Sequence, residues 1–259
     1  MTEALRHIHL RVVDSTLSEA CRLWTAGARE HATPLLVTAD TQTAGVGRTG
    51  RPWLSPAGGV WLTLVAPLDR RAGTLRATPL SVGLAVRLAL LNHLQLETRL
   101  KWPNDLLAGP NDGKLAGILC RYEPSIDADA VIVGIGINAN FDPSILGSDL
   151  RRPATSLLAL TGSTHELPLL ARVVTWQVLR MLERQSTEGF ENMIPEIADA
   201  LAWIGRDVVL QLPGDRPPVV GELKGINGLG AIGISTSQGI EWHEAGDLEL
   251  AEAASSPQF

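Results

Sequence analysis

Apolar residues recur at helical spacing in several segments of the chain. The first begins where Thr16 to Glu19 matches a capping box, and apolar positions then follow at this spacing to about Glu30. Three later segments are also predicted helices: 75–94, 167–182 and 193–203. Segment 75–94 is the most apolar of these and is expected to face the core.

Apolar segments predict strands at 35–38, 60–65, 99–107, 114–121 and 130–137, of which 60–65 is partly β-branched. The sequence AGPNDG lies between the third and fourth runs and predicts a hairpin turn. Segment 41–59 is rich in Gly, Arg and Pro and has no periodicity, so it is predicted to be a long loop.

The pattern changes after Gly205. Strand-like runs at 208–212, 219–223 and 231–235 alternate with Gly, Pro and Asn turns, which indicates a small β-barrel. The chain is therefore predicted to be an α/β (α+β) protein with a main domain at 1–204, a C-terminal barrel at 205–250 and a disordered tail at 251–259.

The composition indicates an ordinary soluble protein. With 45% apolar and 19% charged residues, 259 residues can bury a full core. The start, MTEALRHIHL, lacks the apolar region of a secretory signal, and no apolar run is long enough for a membrane span. A cytoplasmic protein is expected, with Cys21 and Cys120 as reduced core thiols. The net charge of −6 argues against sequence-independent nucleic-acid binding.

Lysine is rare in this chain. The 22 basic residues include only Lys101, Lys114 and Lys224. Because arginine supplies the positive charge elsewhere, a retained lysine can mark a site that needs a compact ammonium group. Chance is a sufficient explanation for Lys224, which lies in a polar turn region. It explains Lys101 and Lys114 less well, because both fall inside the motifs described below.

The sequence GVGRTG at 45–50 matches the dinucleotide-binding pattern G-x-G-x-x-G. That pattern must follow a strand and open a helix, whose N-terminus binds the pyrophosphate. Here Arg51 and Pro52 follow and lead to another strand. A second near-match at 134–139 is followed by Phe-Asp-Pro, and no P-loop is present. A Rossmann site is therefore rejected.

The same loop can bind an anion in another way. Glycines expose backbone N–H groups, Arg48 and Arg51 add guanidinium groups, and Trp53 offers a flat face for a nucleobase. Taken alone, the loop is read equally well as a solvated surface loop.

The sequence KWPND at 101–105 is the second candidate. It could be a simple turn, but apolar strands flank it, which places Lys101 and Asp105 beside the core. Buried charge needs a partner, and a phosphate or a metal ion would provide one. Lys114 begins the next strand at the same end of the sheet; the alternative is an exposed hairpin lysine.

Two smaller features could be structural or functional. Ser15 and Thr16 are explained as helix-capping residues, although their hydroxyls could also bind a small polar ligand. Asn138 follows a buried strand, where it could cap the strand end or bind a ligand. The histidines have no metal-ligand spacing.

Together these motifs resemble those of biotin–protein ligases, in wording and in order. The resemblance rests on QTAGVGRTGRPW at 42–53, KWPND at 101–105, KLAGIL at 114–119 and GIGIN at 134–138. The sequence Asp-Ser-Thr at 14–16 and the β-rich C-terminal segment fit as well, so the resemblance covers nearly the whole chain.

The resemblance implies a fold and a reaction. The fold is the mixed α/β fold shared with class II aminoacyl-tRNA synthetases, followed by an SH3-like barrel. The reaction joins biotin to ATP as biotinyl-5′-adenylate, with release of pyrophosphate, and then transfers biotin to a lysine of a biotin carboxyl carrier domain. ATP and biotin are the implied substrates, with Mg²⁺ as the metal ion. No nucleic-acid or membrane partner is expected, and a weak homodimer stays open.

The resemblance also implies residue roles. The implied catalytic residues are Arg48, Arg51, Lys101 and Lys114. Those implied to bind biotin are Ser15, Thr16, Gln42, Gly45, Val46, Gly47, Arg48, Lys114, Gly117 and Gly136. Those implied to bind the nucleotide are Arg48, Arg51, Trp53, Asn104, Asp105 and Asn138, and Asp105 is the implied metal ligand.

The chain departs from the family pattern at two positions. Val46 replaces the first arginine of the usual G-R-G-R, and Leu17 replaces an Asn that often follows Ser-Thr. Activity is still expected, with weaker retention of the adenylate. An N-terminal DNA-binding domain is not expected, because the first ligand motif begins at residue 14. A lipoate ligase of the same superfamily and a non-enzymatic binding module are the alternatives.

Overall fold

A seven-stranded sheet forms the centre of the first part of the chain. The computed structural model describes residues 5–26, 33–67, 75–124, 129–147, 150 and 152–251. The strands of this sheet are β1 (Arg6–Val13), β2 (Leu35–Gln42), β3 (Val60–Pro67), β4 (Arg99–Lys101), β5 (Asp105–Ala108), β6 (Gly113–Glu123) and β7 (Ala130–Ile137). Their order is β1-β2-β3-β7-β6-β5-β4, and β1 and β2 are parallel while all other pairs are antiparallel.

Helices cover both faces of this sheet. They are α1 (Thr16–Ala26), α2 (Thr78–Leu94), α3 (Leu157–Thr161), α4 (Leu167–Glu188) and α5 (Ile194–Ala200). Helix α1 packs on β2, β3 and β7 in a small apolar cluster, while α2 and α4 pack on each other and on the sheet in a larger one. Leu64 belongs to the larger cluster and its neighbour Val65 to the smaller. Because successive side chains of a strand point to opposite faces, β3 is apolar on both.

The last part of the chain forms a second sheet, which is antiparallel throughout. Its strands are β8 (Asp207–Gln211), β9 (Val219–Ile226), β10 (Ile232–Thr236), β11 (Gly239–His243) and β12 (Asp247–Leu250), in the order β11-β10-β9-β8-β12. Val208, Leu223 and Leu248 of this sheet are buried in the same cluster as α2 and α4. The predicted mixed α/β fold with a C-terminal SH3-like barrel is confirmed, and the boundary at 204/205 stays a prediction.

The predicted strand 99–107 is wrong, because the structure has two strands there. Strands β4 and β5 are antiparallel neighbours, with Lys101 opposite Asp105 and a tight turn at 102–104. The backbone N–H of Asn104 donates to the Lys101 carbonyl at 3.2 Å and closes this turn. Pro103 has no N–H to donate to a ladder, which explains why the strand is interrupted.

Other predicted bounds also change. The predicted helix 193–203 is shorter, α5, and the chain leaves it at Leu201 in an extended conformation. The predicted loop 41–59 contains a short 3₁₀ turn at Arg48–Gly50 and bridges between its two arms. Strands β1, β11 and β12 and helix α3 were not predicted. The predicted helix end at residue 30 and the tail from residue 252 lie outside the described residues.

Within the described ranges, no helix is both long enough and apolar enough to cross a membrane.

Candidate active site

A cleft of about 270 Å³ opens at one end of the seven-stranded sheet. Strands β2 and β7 finish at this end and β6 begins there, while the turn between β4 and β5 places Asp105 opposite Gly117 of β6, so side chains from these segments converge. The loop between β2 and β3 and strand β12 of the second sheet complete the wall. Polar groups at strand ends are typical of binding sites, since the backbone there is free of the ladder.

One end of the cleft is polar but uncharged. The Thr63 hydroxyl donates to Thr16 Oγ1 at 2.9 Å, and the Thr16 hydroxyl donates to Gln42 Oε1 at 3.0 Å. The Thr16 backbone N–H donates to the same oxygen at 2.8 Å, and the Gln42 amide donates to Ser55 Oγ at 2.7 Å. Each group fixes the orientation of the next, so this end presents hydroxyls and an amide in defined positions.

Ser15 and apolar residues complete this end. Ser15 is 2% exposed, and its hydroxyl accepts from the Ser18 backbone N–H only at the long distance of 3.5 Å. The surrounding wall is apolar and is formed by Leu17, Leu62, Leu119 and Ile135. This arrangement suits a small polar ring that continues into an apolar chain.

The floor of the cleft consists of glycines under the Trp53 indole. A Cβ added at Gly136 would lie 2.6 Å from Trp53 Nε1, and one added at Gly117 would lie 2.8 Å from Trp53 Cζ3. Only glycine permits this approach. The Lys114 ammonium lies 4.9 Å from the centre of the same ring, in a cation–π contact.

The loop between β2 and β3 is held by its own backbone. The Trp53 N–H donates to the Gly45 carbonyl at 2.8 Å, and the Gly47 N–H donates to the Arg51 carbonyl at 2.7 Å. At the tip, Thr49 has φ of 55°. These bonds bring Arg48 and Arg51 to the cleft. The loop opens no α-helix, and the glycines of the second match lie in β7, which no α-helix directly follows; both facts agree with the rejection of a Rossmann site.

The other end of the cleft is cationic. Arg51 Nη2 lies 2.8 Å from Asp247 Oδ2, and Arg48 Nη1 lies 3.5 Å from Asp247 Oδ1. Arg48 also donates to Asn104 Oδ1 at 3.1 Å and to the Gly246 carbonyl at 3.3 Å. The carboxylate of β12 therefore holds both arginines of the loop.

Asp247 is shifted toward its ionised form. Burial opposes ionisation, but the hydrogen bond from Arg51 and the charges of Arg51, Arg48 and Lys101 outweigh it, so the pKa of Asp247 lies below its ordinary value. It is therefore a carboxylate at neutral pH.

The lysines of the cleft are also paired. Lys114 Nζ lies 2.8 Å from Asp105 Oδ1, and Lys101 Nζ lies 3.0 Å from Glu249 Oε1. Glu249 also binds Arg152 through its second oxygen. Lys101 is only 7% exposed, which agrees with the prediction that it lies beside the core. The exposed Lys224 instead pairs with Glu222 outside the cleft.

The cationic end keeps an excess of positive charge. The described residues that line the cleft include five cations (Arg48, Arg51, Lys101, Lys114 and Arg152) and three carboxylates (Asp105, Asp247 and Glu249). Five minus three leaves a formal charge of +2. Such an excess in a partly buried wall favours a polyanion, phosphate above all.

Two asparagines support this end. Asn104 donates to the Ile118 carbonyl at 2.8 Å, which fixes its amide oxygen toward Arg48. Asn138 donates to the carbonyls of Lys114 and Thr155 at 3.2 and 3.0 Å. Its own buried Oδ1 has no hydrogen-bond partner among the described residues. Asn138 thus connects the end of β7 to β6 and to the segment before α3.

The structure brings almost all of the predicted site residues to one cleft. Gly45 is the exception, because it lies behind the wall, where an added Cβ would be 2.4 Å from the Trp53 carbonyl oxygen. Sequence reasoning missed the lining residues Thr63, Arg152, Asp247 and Glu249. No local signal marks Asp247 and Glu249, because other strands of the barrel also carry acidic residues, such as Asp207 of β8 and Glu222 of β9.

Burial raises the pKa of both thiols, which disfavours the reactive thiolate, and the described part of the cleft has no cluster of metal-ligating side chains. Cys21 and Cys120 are free, and burial raises the pKa of the Cys120 thiol to about 12. Among the residues that the structure describes, no group of three or more His, Cys, Asp or Glu could hold a metal ion.

Comparison with known proteins gives consistent matches. The sequence model of the biotin/lipoate A/B protein ligase family matches residues 10–138. The bifunctional ligase/repressor BirA of Bacillus subtilis is 30% identical over 94% of this chain and 73% of its own length. The biotin–[acetyl-CoA-carboxylase] ligase of Mycobacterium tuberculosis is 32% identical over 83% and 78%.

A solved structure agrees with these sequence matches. The biotin protein ligase from Aquifex aeolicus in complex with biotin and ATP superposes with a TM-score of 0.78 at 30% identity, covering 95% of this chain and 98% of that one.

Proposed function

Because this chain belongs to the biotin/lipoate A/B protein ligase family, we propose that its cleft forms biotinyl-5′-adenylate from biotin and ATP. The chain is an ATP-dependent biotin–protein ligase. The observation that carries the proposal is the division of one cleft into an uncharged hydrogen-bonding end and a cationic end.

Biotin occupies the uncharged end. A ureido ring both donates and accepts hydrogen bonds, and the network of Ser15, Thr16 and Gln42 offers the complementary groups. The apolar wall accommodates the rest of the acid. A dithiolane ring has no N–H donor and no carbonyl acceptor, so lipoate would leave the remaining hydrogen-bonding capacity of these groups unused, at a cost of about 1–3 kcal/mol for a buried group without a partner. This difference favours biotin over the lipoate alternative.

ATP occupies the cationic end, with the α-phosphate next to the carboxylate of biotin. A carboxylate oxygen attacks the α-phosphorus, the bond to the pyrophosphate breaks, and pyrophosphate leaves with its electron pair. Both reactants are anions, so the cations must neutralise their repulsion and the charge that develops on the phosphoryl oxygens. We assign this task to Arg48, Arg51 and Lys114, with Lys101, which pairs with Glu249, as a further cation of the same wall.

Trp53 and the loop protect the product. The indole gives a flat face for the adenine, and Asn138 holds the neighbouring strand end. Packed over the adenylate, the loop keeps water from the mixed anhydride. Val46, which is 41% exposed, contributes its backbone there and no charge.

Asp105 would hold Mg²⁺ at the phosphates of ATP; its carboxylate lines the cleft and lies 2.8 Å from Lys114 Nζ. When bound, the ion would neutralise phosphate charge.

In the second step the ε-amino group of an acceptor lysine attacks the acyl carbon of the adenylate, forming an amide and releasing AMP. The names of the relatives indicate acetyl-CoA carboxylase as the class of acceptor. The proposed partner is its biotin carboxyl carrier domain.

Pyrophosphate release tests the proposal directly. The protein is incubated with MgATP and either biotin or lipoate, with and without a carrier domain. We expect pyrophosphate with biotin, little with lipoate, and a carrier heavier by one biotinyl group. No pyrophosphate with either acid would overturn the proposal, and preference for lipoate would reverse the assignment of the uncharged end.

A further inference from the structure

Glu249 binds two cations of the cleft at once. Its Oε1 lies 3.0 Å from Lys101 Nζ, and its Oε2 accepts from Arg152 Nη2. The side chains of Lys101 and Arg152 are only 8% and 13% exposed. Two like charges that are so poorly solvated repel each other strongly, and a shared carboxylate offsets that repulsion.

The three residues come from distant parts of the chain. Lys101 ends β4, Arg152 lies between β7 and α3, and Glu249 lies on β12 of the barrel. Both cations also stand over the ring of Trp203, at 4.7 Å for Arg152 and 6.0 Å for Lys101. They therefore have the indole on one side and the carboxylate on another, which fixes their positions.

Both cations keep donors for a ligand. Glu249 engages one terminal nitrogen of each, whereas an ammonium has three N–H donors and a guanidinium five. The buried Nε of Arg152 has no hydrogen-bond partner among the described residues. A buried donor without a partner is costly, so a ligand acceptor at this place is a physical explanation for it.

We propose that Glu249 is a positioning residue for ATP, which holds Lys101 and Arg152 side by side so that their remaining donors reach the phosphate oxygens. The inference rests on the proposed function, which places ATP at the cationic end. The barrel then contributes to ATP binding in the first step, because its residue Glu249 positions the two cations that contact the phosphates.

A simple structural role for Glu249 makes different predictions. If the ion pair only anchored the barrel, its loss would lower the melting temperature of the protein and leave the KM values for ATP and biotin unchanged. A positioning role changes the KM for ATP and spares the KM for biotin, because the uncharged end contains no partner of Glu249.

The test compares Glu249→Gln, Glu249→Asp and a control, Glu222→Gln, in steady-state pyrophosphate release by the full chain. Glu222 pairs with Lys224 on the same barrel but outside the cleft. For Glu249→Gln we expect a KM for ATP raised about tenfold or more, because both cations lose their counter-charge. The KM for biotin should stay within about twofold. Glu249→Asp keeps the charge and should restore part of the loss, and the control should resemble wild type.

A double variant tests whether Glu249 acts through Lys101. If it does, Glu249→Gln added to Lys101→Gln raises the KM for ATP by less than it does alone, because the two changes remove one interaction. Full additivity contradicts the inference. So does an unchanged KM for ATP in Glu249→Gln, or a lower one, which would mean that the carboxylate competes with phosphate.

The melting temperature and a calorimetric measurement of biotin binding check that each variant is folded. If Glu249→Gln does not fold, the KM for ATP of Glu249→Asp decides in its place. Absence of pyrophosphate release by the wild type with biotin would overturn the proposed function, whereas an active wild type with indifferent Glu249 variants overturns this inference alone.

Discussion

Lys114 lies in the cleft between a carboxylate and an aromatic ring. Its ammonium touches the Asp105 carboxylate at 2.8 Å and the Trp53 ring at 4.9 Å. A compact ammonium fits between a carboxylate and an indole where a planar guanidinium would demand more room. This geometry accounts for a lysine at this position in a chain that otherwise uses arginine.

Replacing Lys114 by alanine should nearly abolish adenylation. Loss of one cation that faces the attacking and leaving oxygens is expected to lower kcat/KM by about 100-fold or more. Biotin-dependent exchange of pyrophosphate into ATP measures this, and the melting temperature checks folding. Lys224→Ala, which removes an exposed lysine of the barrel, is the control. Exchange near the wild-type rate in Lys114→Ala would refute the assigned role.

Thr63 should matter for biotin although it is fully buried. Thr63→Val keeps the shape and removes the donor to Thr16 Oγ1, which loosens the orientation of the Gln42 amide. We expect the KM for biotin to rise by a factor that corresponds to a loss of about 1–2 kcal/mol of binding free energy. The KM for ATP should stay nearly constant. Thr175→Val is the control, since that buried hydroxyl donates only within helix α4. An equal rise in both KM values would contradict the specific effect.

The candidate site could be predicted from the sequence only where its residues lie close together along the chain. Arg48, Arg51 and Trp53 share one glycine loop, and Lys101 and Asp105 share one turn. Asp247 was missed because its importance arises from folding: it pairs with Arg51 across 196 positions. An acidic residue on a short strand of a barrel is ordinary by itself, and no local pattern shows which cations it will meet.

At the level of helices and strands, the apolar pattern predicted the buried strands and the longer helices, and it missed three of the four edge strands of the two described sheets. Strand β1 lies at the edge of the sheet, and its exposed histidines and arginines hide the alternation. Strands β11 and β12 are short and lie at the two edges of the second sheet. Edge strands bury little apolar surface, so their sequences carry a weak signal.

The loop between β2 and β3 should be sensitive to a methyl group at one glycine. In Gly45→Ala the new Cβ would lie 2.4 Å from the Trp53 carbonyl oxygen, whereas in Gly47→Ala it would lie 3.4 Å from that of Arg51. Gly45→Ala should therefore shift the loop and raise the KM values of both substrates by on the order of tenfold. Gly47→Ala should have a clearly smaller effect. Steady-state kinetics decides, and equal effects would contradict the packing argument.

At the scale of the whole molecule, the barrel and the main sheet share one core. Val208, Leu223 and Leu248 are buried in the same cluster as residues of α2 and α4. The carboxylates of β12 reach from the barrel to the cations of the cleft. The barrel is therefore joined to the cleft by apolar packing and by charge.

The pairing of Asp247 should make this junction sensitive to acid. Its pKa is below the ordinary 3.8, so its ionised form stabilises the fold at neutral pH, and this contribution is lost as the pH falls through the lowered value. From pH 5 to 8 the melting temperature of the wild type should be higher than that of Asp247→Asn. The difference between the two melting temperatures should shrink below about pH 4. Thermal melting of both proteins across this range measures it. A difference that grows in acid would reverse the sign of the argument.

The common core also limits how such a chain can be rearranged during evolution. A recombination event that exchanged the barrel for that of a distant relative would have to match two surfaces at once: the apolar contacts around Leu248 and the spacing of Asp247 and Glu249. Substitutions on the two sides of this junction are therefore expected to be coupled, so that a change on one side favours a compensating change on the other. Through the contacts of β12, substitutions in the barrel and in the cleft are expected to evolve together.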